Sequence, residues 1–338
     1  MPREGPSRRD YGSVSIIVPM LNEAEHVEHL VADVAAQDYP DAIELVVADG
    51  GSDDDSVGIL QRSAAEHGVK LTLVRNPARW VSPGLNACIA RSSGDVILRM
   101  DCHAHYEPDY VSRCVAALRE TGAWNVGGAL LAVGRTRTER AVACAMETAF
   151  GGIGWTIHGG RRERVEVDTV TFGAFPRFVF ERVGGFDERL VRNQDNDLNI
   201  RIRIAGGSVI LDPTISVQYV PRGSYRRLFR QYYEYGLWKG RVSAKHGRVL
   251  NVRSVVPLAF ISSVAALACL APASRIARRM LVYELGIYGV ACLAFAVQGI
   301  ARRREDAALV PRVGAAFPVF HLAHGLGMLR ALLDRARR

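Results

Sequence analysis

An α/β fold built on a mostly parallel sheet is predicted by two features of the first hundred residues. Short apolar runs alternate with helical patterns in a β-α-β-α rhythm, the order that lays helices over a parallel sheet. Two of those runs stop on an acidic residue, Asp49 and Asp101, at the strand end where open α/β sheets bind ligands. A third feature sets the back of the chain apart: from Ser224 the sequence turns basic and aromatic, then strongly apolar.

Residues 14–19 read as the first strand. A helix over 23–37 follows, with Val27, Leu30, Val31 and Val34 on one face and Asn22 as its N-cap. Residues 43–49 form the next strand and run into Asp49-Gly50-Gly51-Ser52. A helix over 55–67, a strand over 71–75, a helix over 82–91 and a strand over 95–100 complete the regular part. The pattern then loosens into a helix at 110–119, a strand at 125–132, a helix at 139–150, a Gly- and Arg-rich loop at 151–164 and a strand-like stretch at 165–172. A helix at 194–205 carries Leu198, Ile202 and Ala205 on one face, and short strands follow at 209–212 and 216–220.

Residues 224–245 interleave Tyr225, Phe229, Tyr232 and Trp238 with Arg226, Arg230, Lys239 and Arg241, an amphipathic helix suited to a membrane interface. Residues 255–271 and 281–300 are apolar over nearly the length that crosses a bilayer. Residues 313–329 are a weaker third candidate, interrupted by Pro318, His321 and His324. Arginines flank all three segments alike, so charge assigns no topology to the loops. The expected organisation is a disordered tail at 1–11 without a signal-peptide pattern, a ligand-binding domain at 12–222, an interfacial helix at 223–250 and a membrane region at 251–338.

The chain has 338 residues, enough for one sizeable domain plus an appendage, and a formal charge of +8. The front half carries no basic-aromatic nucleic-acid motif, so the charge points to phosphate-bearing substrates and anionic lipid, with no nucleic-acid partner. Six cysteines without a C-x-x-C pair fit reduced, buried thiols in a cytoplasmic setting. The first strand is not followed by G-x-G-x-x-G, and no Walker A lysine loop appears, which argues against a dinucleotide dehydrogenase and a P-loop ATPase.

The chemistry-bearing residues sit at loops. Asp49 is placed to accept a hydrogen bond from a base or ribose, and the glycines after it allow close backbone approach. Arg79 can reach a phosphate, and a helix starting near Ser82-Pro83-Gly84 offers free N–H groups to an anion. If the extended conformation continues past Asp101, then Asp101, His103 and His105 share one face and can hold a divalent cation. Asp195 and Asp197 lie in the first turn of a helix, where acids serve either as dipole partners or as a general base.

Taken in order, several segments resemble the family 2 glycosyltransferases with the GT-A fold, and within them the succinoglycan-biosynthesis branch. The residues that carry the likeness are Ser15 to Glu23, Ala48 to Asp53, Gly84-Leu85-Asn86, Arg99 to Tyr106, Asn125 to Gly128, Gly185 to Glu188 and Asn193-Gln194-Asp195. The resemblance implies a nucleotide-sugar pocket lined by Pro19, Asn22, Glu23, Asp49, Gly51, Arg79, Gly84, Asn86 and Asp101. It implies a divalent metal, Mn²⁺ or Mg²⁺, at Asp101 and His103, the second position being His where the usual device has Asp. Asp195 matches the general base, with Gln194 standing where the family has Glu. Gly127, Gly128, Phe186, Asp187 and Gln194 fall on the acceptor side.

The implied reaction is a single inverting displacement, with a sugar moved from a nucleotide donor, expected to be UDP-linked, to a lipid-linked saccharide for surface polysaccharide. The implied setting is the cell membrane with the catalytic domain facing the cytoplasm. The processive Gln-x-x-Arg-Trp signature is replaced by Gln231-Tyr232-Tyr233-Glu234-Tyr235, which favours addition of one sugar. The rival readings are a transferase acting directly on polyprenyl phosphate and a catalytically inactive nucleotide-sugar-binding membrane protein.

Overall fold

The structure is a computed structural model describing residues 10–151, 163–247 and 252–336. The chain divides into two compact units: Met1–Leu131 with Arg161–Tyr219, and Ala132–Gly160 with Val220–Arg338.

The first unit holds strands β1 (Ser13–Met20), β2 (Ala42–Asp49), β3 (Leu71–Arg75), β4 (Val96–Arg99), β5 (Ala104–Tyr106), β6 (Asn125–Ala132), β7 (Val165–Glu166), β8 (Ala174–Pro176) and β9 (Val209–Tyr219). They form one mixed sheet in the order β3-β2-β1-β4-β8-β6-β9-β5, with β7 pairing β9. The pairs β2–β3, β1–β2 and β1–β4 are parallel, so these four strands end at one edge. The pairs of β8 with β4 and with β6, and of β9 with β5 and with β7, are antiparallel.

Its helices are α1 (Val27–Ala35), α2 (Ser56–Glu66), α3 (Val81–Arg91), α4 (Tyr110–Thr121), α6 (Phe178–Val183) and α7 (Gln194–Ile204); α5 (Arg137–Met146) belongs to the second unit. Strand alternation separates two cores on the two faces of the sheet. Ile16, Val18, Leu45, Val47, Val96 and Leu98 pack with α1, α2 and α4, whereas Ile17, Val46, Ala48 and Ile97 pack with α3, α6 and α7. Burial on both faces is why these strands read as continuous apolar runs.

Most predicted elements of the front half appear within two residues of their expected bounds, and the differences have local causes. The helix expected from Glu23 starts at Val27: residues 24–26 form a turn, and the backbone N–H groups of Glu23 and Ala24 donate to Ser56 and Asp54. The strands expected at 209–212 and 216–220 are one strand, β9, running through Pro213. The strand expected over 165–172 is reduced to the two residues of β7. Of the tail expected at 1–11, Tyr11 is buried, its carbonyl accepting from Tyr39 Oη (2.7 Å) and Arg119 Nη2 (2.6 Å). The rest of that tail, and most of the 151–164 loop, lie outside the described residues.

The second unit contains α5, α8 (Tyr225–Lys245), α9 (Val252–Leu270), α10 (Arg275–Arg303) and α11 (Val310–Ala336). Among the described residues, two helical stretches are long and apolar enough to cross a membrane, Arg275–Arg303 and Ala307–Arg335, while Ser254–Leu270 is a shorter apolar helix. The weak third candidate of the sequence is thus a continuous long helix that accommodates Pro318. Part of the apolar face of α8 is covered within this unit. Tyr232 stacks on Phe320 of α11 with ring centroids 4.4 Å apart, and Gly236 and Gly240 let the two helices approach closely.

The domain boundary also needs correction. Within the stretch expected to be catalytic, α5 packs in the helical unit instead: Arg140 pairs with Glu305, Glu147 with Arg303, and a Cβ on Gly299 would meet the Cys144 carbonyl. Ala141 to Met146 are all buried, so its C-terminal half is enclosed on every side, with alanines allowing close packing.

Candidate active site

The carboxyl ends of β1 and β2 carry two loops that are stitched together. Asn22 has a left-handed φ of 56°. Its N–H donates to Ser52 Oγ (2.9 Å), and its Oδ1 accepts from the Asp53 N–H (3.0 Å). Asn22 is therefore a staple between loops and not the helix N-cap that the sequence suggested. The Asp49 carboxylate turns back onto its own loop, accepting from the Gly51 N–H (3.1 Å) and the Ser52 hydroxyl (2.6 Å). Gly51 adopts φ +79°, which favours glycine, and the Arg79 guanidinium lies beside it. Pro19, paired with Ala48, sits at the same edge.

Gly84 and Asn86 serve other purposes than those expected. A Cβ on Gly84 would meet Asn76 Nδ2 at 2.9 Å and Ala48 at 3.4 Å, so the residue is a packing position between α3 and β2. The Asn86 amide is committed to the segment Gly185 to Glu188: Oδ1 accepts from the Phe186 N–H (2.8 Å), and Nδ2 donates to the Phe186 carbonyl and to Glu188 Oε1 (2.9 Å each).

At the end of β4 the backbone departs from the expected path. The strand stops at Arg99, and residues 102–103 form a turn, with the Ala104 N–H donating to the Asp101 carbonyl (3.3 Å). Asp101, His103 and His105 thus do not share a face by strand alternation. Cys102 points into the core and is 2% exposed. Arg99, part of the motif but given no role by the sequence, is buried and donates through Nη2 to both oxygens of Asp101 (3.2 and 3.1 Å). Burial disfavours its charge, but Asp101 and Asp195 outweigh that and hold the guanidinium above its ordinary pKa. Its Nε has no hydrogen-bond partner among the described residues. Beneath it lies the ring of Phe172, a bulky residue in the left-handed region (φ 53°), where a side chain is held only under strain.

The turn brings His103 to the first loop. His103 Nδ1 is 3.4 Å from Glu23 Oε1, and its ring lies 4.8 Å from that of His26. One donor atom from each of Glu23, His26 and His103 falls within 4.8 Å of the others. Burial, with the Asp101 and Asp54 carboxylates nearby, pushes the Glu23 pKa up to about 7. His105 goes instead to Asp33 (3.5 Å) and packs on His29 (4.2 Å between centroids). His26 was also missed. Its signal was the Glu23-x-x-His26 spacing, which puts both side chains on one helical turn.

The resemblance puts the base at Asp195, and the surroundings of Asp195 and Asp197 differ. Asp197 is fully buried and held by Arg201 Nε (3.0 Å). Asp195 is partly exposed at the first turn of α7, its Oδ1 accepting from the Asn196 N–H (2.8 Å), and its charge acts on Arg99. Asn193 opens the helix in the left-handed conformation, φ 58°.

The residues expected on the acceptor side are mostly packed. A Cβ on Gly127 would lie 2.7 Å from Val170, and one on Gly128 2.3 Å from the Ile215 carbonyl. Phe186 is 4% exposed in the core with Phe180, and Gln194 is buried. Asp187 pairs with Arg189 (2.9 Å). These positions shape the fold and offer little surface to an acceptor.

A four-stranded parallel half-sheet with stitched loops at its carboxyl edge, and an acid at a helix N-terminus, makes this an α/β protein of the class that binds its ligand at the strand ends. The chain belongs to glycosyl transferase family 2, whose family model matches residues 15–186, and it is a glycosyltransferase. It is 32% identical over 336 residues to the succinoglycan biosynthesis protein ExoA of Rhizobium meliloti, covering 96% of each chain. It is 22% identical to a dolichyl N-acetyl-alpha-D-glucosaminyl phosphate 3-beta-D-2,3-diacetamido-2,3-dideoxy-beta-D-glucuronosyltransferase of Methanococcus voltae, covering 73% of this chain and 78% of that one. Among solved structures, a mannosyltransferase of Pyrobaculum calidifontis in complex with GDP-Man and Mn²⁺ matches with a TM-score of 0.65 at 21% identity, over 98% of this chain and 90% of that one. That likeness shows the shared GT-A fold.

Proposed function

We propose that the chain moves one sugar from a nucleotide-sugar donor to a lipid-linked saccharide by an inverting displacement, at a membrane and from its cytoplasmic side. The observation that carries this reading is the arrangement around Arg99: Asp101, on the donor-loop side, and Asp195, at the α7 N-terminus, both act on one buried guanidinium. In this reading Asp195, partly exposed, takes the proton from the acceptor hydroxyl as the anomeric carbon is attacked. Arg99 holds Asp101 on the donor side, and holding two reactants in line supplies much of the remaining rate. The loop stitched by Asn22 and Asp49 receives the nucleoside, and Arg79 beside Gly51 is placed for a phosphate.

The residues present also fit a divalent cation. His103, Glu23 and His26 converge, and Glu23 Oε2 is buried without a hydrogen-bond partner among the described residues. A cation bound there would neutralise charge on the diphosphate leaving group. The relatives that act on lipid-linked or surface saccharides, together with the two long apolar helices, support the lipid-linked acceptor and the membrane setting.

Membranes containing the protein, supplied with a panel of radiolabelled nucleotide sugars and lipid acceptors, test the proposal. Label in a lipid-linked oligosaccharide supports it. Label in a monosaccharyl polyprenyl phosphate overturns the acceptor assignment, and nucleotide binding without turnover overturns the catalytic one.

A further inference from the structure

We infer that Glu23, His26 and His103 form a transition-metal site, so that the cation is held chiefly by the first loop and the 102–103 turn, with Asp101 left to Arg99. Three observations lead there. First, one oxygen and two imidazole nitrogens lie within 4.8 Å of one another, a spacing that a single ion closes with small side-chain movements.

Second, the group is built before any ion arrives. Glu23 and His26 lie on one turn, the His26 N–H donating to the Glu23 carbonyl (2.8 Å), and the Glu23 N–H is fixed by Ser56 Oγ (2.7 Å). The turn after Asp101 then brings His103 across from another part of the chain, to 3.4 Å from Glu23. Third, the site is sheltered on one side and open on the other. The Glu23 side chain is 14% exposed, whereas that of His103 is 59% exposed, leaving coordination positions for an outside ligand such as a diphosphate. Asp101 is less available, because both its oxygens accept from Arg99.

The donor chemistry selects the ion. Two imidazoles and one carboxylate suit first-row transition dications with open positions, and Mg²⁺, which prefers oxygen ligands, is disfavoured. The role of this ion in donor binding rests on the transferase reading above; its binding to these side chains does not.

The test uses the full chain, purified in detergent, titrated with Co²⁺ in the absence of nucleotide and followed by its visible ligand-field bands. One equivalent is expected to bind, to be displaced by Zn²⁺, and to resist an equal concentration of Mg²⁺. Loss of an outer-shell partner commonly weakens a site by roughly 10- to 100-fold, so losing a ligand through His26→Ala or His103→Ala is expected to cost no less. Asp101→Asn is expected to leave the bands in place. Circular dichroism on each variant separates lost binding from lost folding, and Glu23→Gln supplies a third, near-isosteric probe. Wild-type affinity in folded His26→Ala, or bands lost in Asp101→Asn alone, overturns the site. If Co²⁺ binds as expected but nucleotide-sugar affinity is the same with and without it, the site stands and its donor role falls. If donor binding needs metal yet is untouched by His26→Ala, the transferase reading stands and this site falls.

Discussion

Arg99 and Asp101, two residues apart across the end of β4, hold each other: one guanidinium nitrogen lies 3.1 and 3.2 Å from the two carboxylate oxygens. The pair is largely withdrawn from water, and removing one partner from such a pair leaves an uncompensated charge that costs about 3–5 kcal/mol. Arg99→Met is therefore expected to lower the thermal midpoint sharply. Arg99→Lys keeps the charge but loses the planar fork and is expected to fold, with turnover reduced by roughly tenfold or more. Wild-type turnover in Arg99→Met would separate this pair from the chemistry.

Asp195 and Asp197 are expected to respond oppositely to the same change. Asp195→Asn should reduce transfer by roughly 10²- to 10⁴-fold, the usual contribution of a general base, while calorimetry shows donor affinity unchanged. Asp197→Asn should act on stability, because Asp197 is fully buried and paired with Arg201. Equal losses of turnover at equal stability in the two variants would rule out the base assignment.

Asn86 ties α3 to the segment after α6, a hundred residues further along the chain. Asn86→Ala strands the Phe186 N–H and carbonyl, a cost of about 1–3 kcal/mol per buried group left unpaired. Denaturant unfolding should register that loss with the donor affinity of the remaining folded protein close to wild type. A donor affinity that falls while stability holds would return Asn86 to the nucleotide site.

Glu44 links stability to acid pH. Burial alone would raise its pKa, but Ser15 Oγ (2.7 Å), the Ser93 N–H (2.6 Å) and hydroxyl (2.9 Å), and Lys70 outweigh it and bring the pKa down to about 2. A folded-state pKa below the unfolded one contributes stability that is complete above the unfolded value of 4.5 and is lost as pH falls toward 2. The contribution is on the order of 3 kcal/mol at neutral pH. Glu44→Gln should flatten this part of the pH–stability curve; an unchanged curve would mean that other carboxylates set it.

In the helical unit, a Cβ on Gly236 would lie 2.0 Å from the His324 carbonyl, and one on Gly327 2.1 Å from the Tyr233 carbonyl. Gly236→Ala gains helix propensity of about 1 kcal/mol but forces α8 and α11 apart, at a cost of about 1–3 kcal/mol. Thermal unfolding in detergent is expected to show net destabilisation. A stabilised variant would mean that the two helices have slack.

What the sequence determined by itself was the local periodicity and its consequences. The apolar runs of β1, β2 and β4, the helical faces of α1 and α7, and the motif order that marks a family 2 glycosyltransferase all follow from residues near one another in the chain. Asp195 was named from its motif in the same way. Tertiary structure decided the contacts that bring distant segments together. The turn at 102–103 breaks the alternation that joined Asp101 to His103, because the Ala104 N–H returns to the Asp101 carbonyl. His103 then meets Glu23 and His26, while Arg99 takes Asp101. Asn86, Gly127, Gly128 and Phe186 carry family motifs, yet their neighbours make them clamps and packing positions. Strand and helix periods are set over a few residues and can be read locally; which carboxylate meets a cation or an imidazole depends on where a turn falls and what packs beneath it.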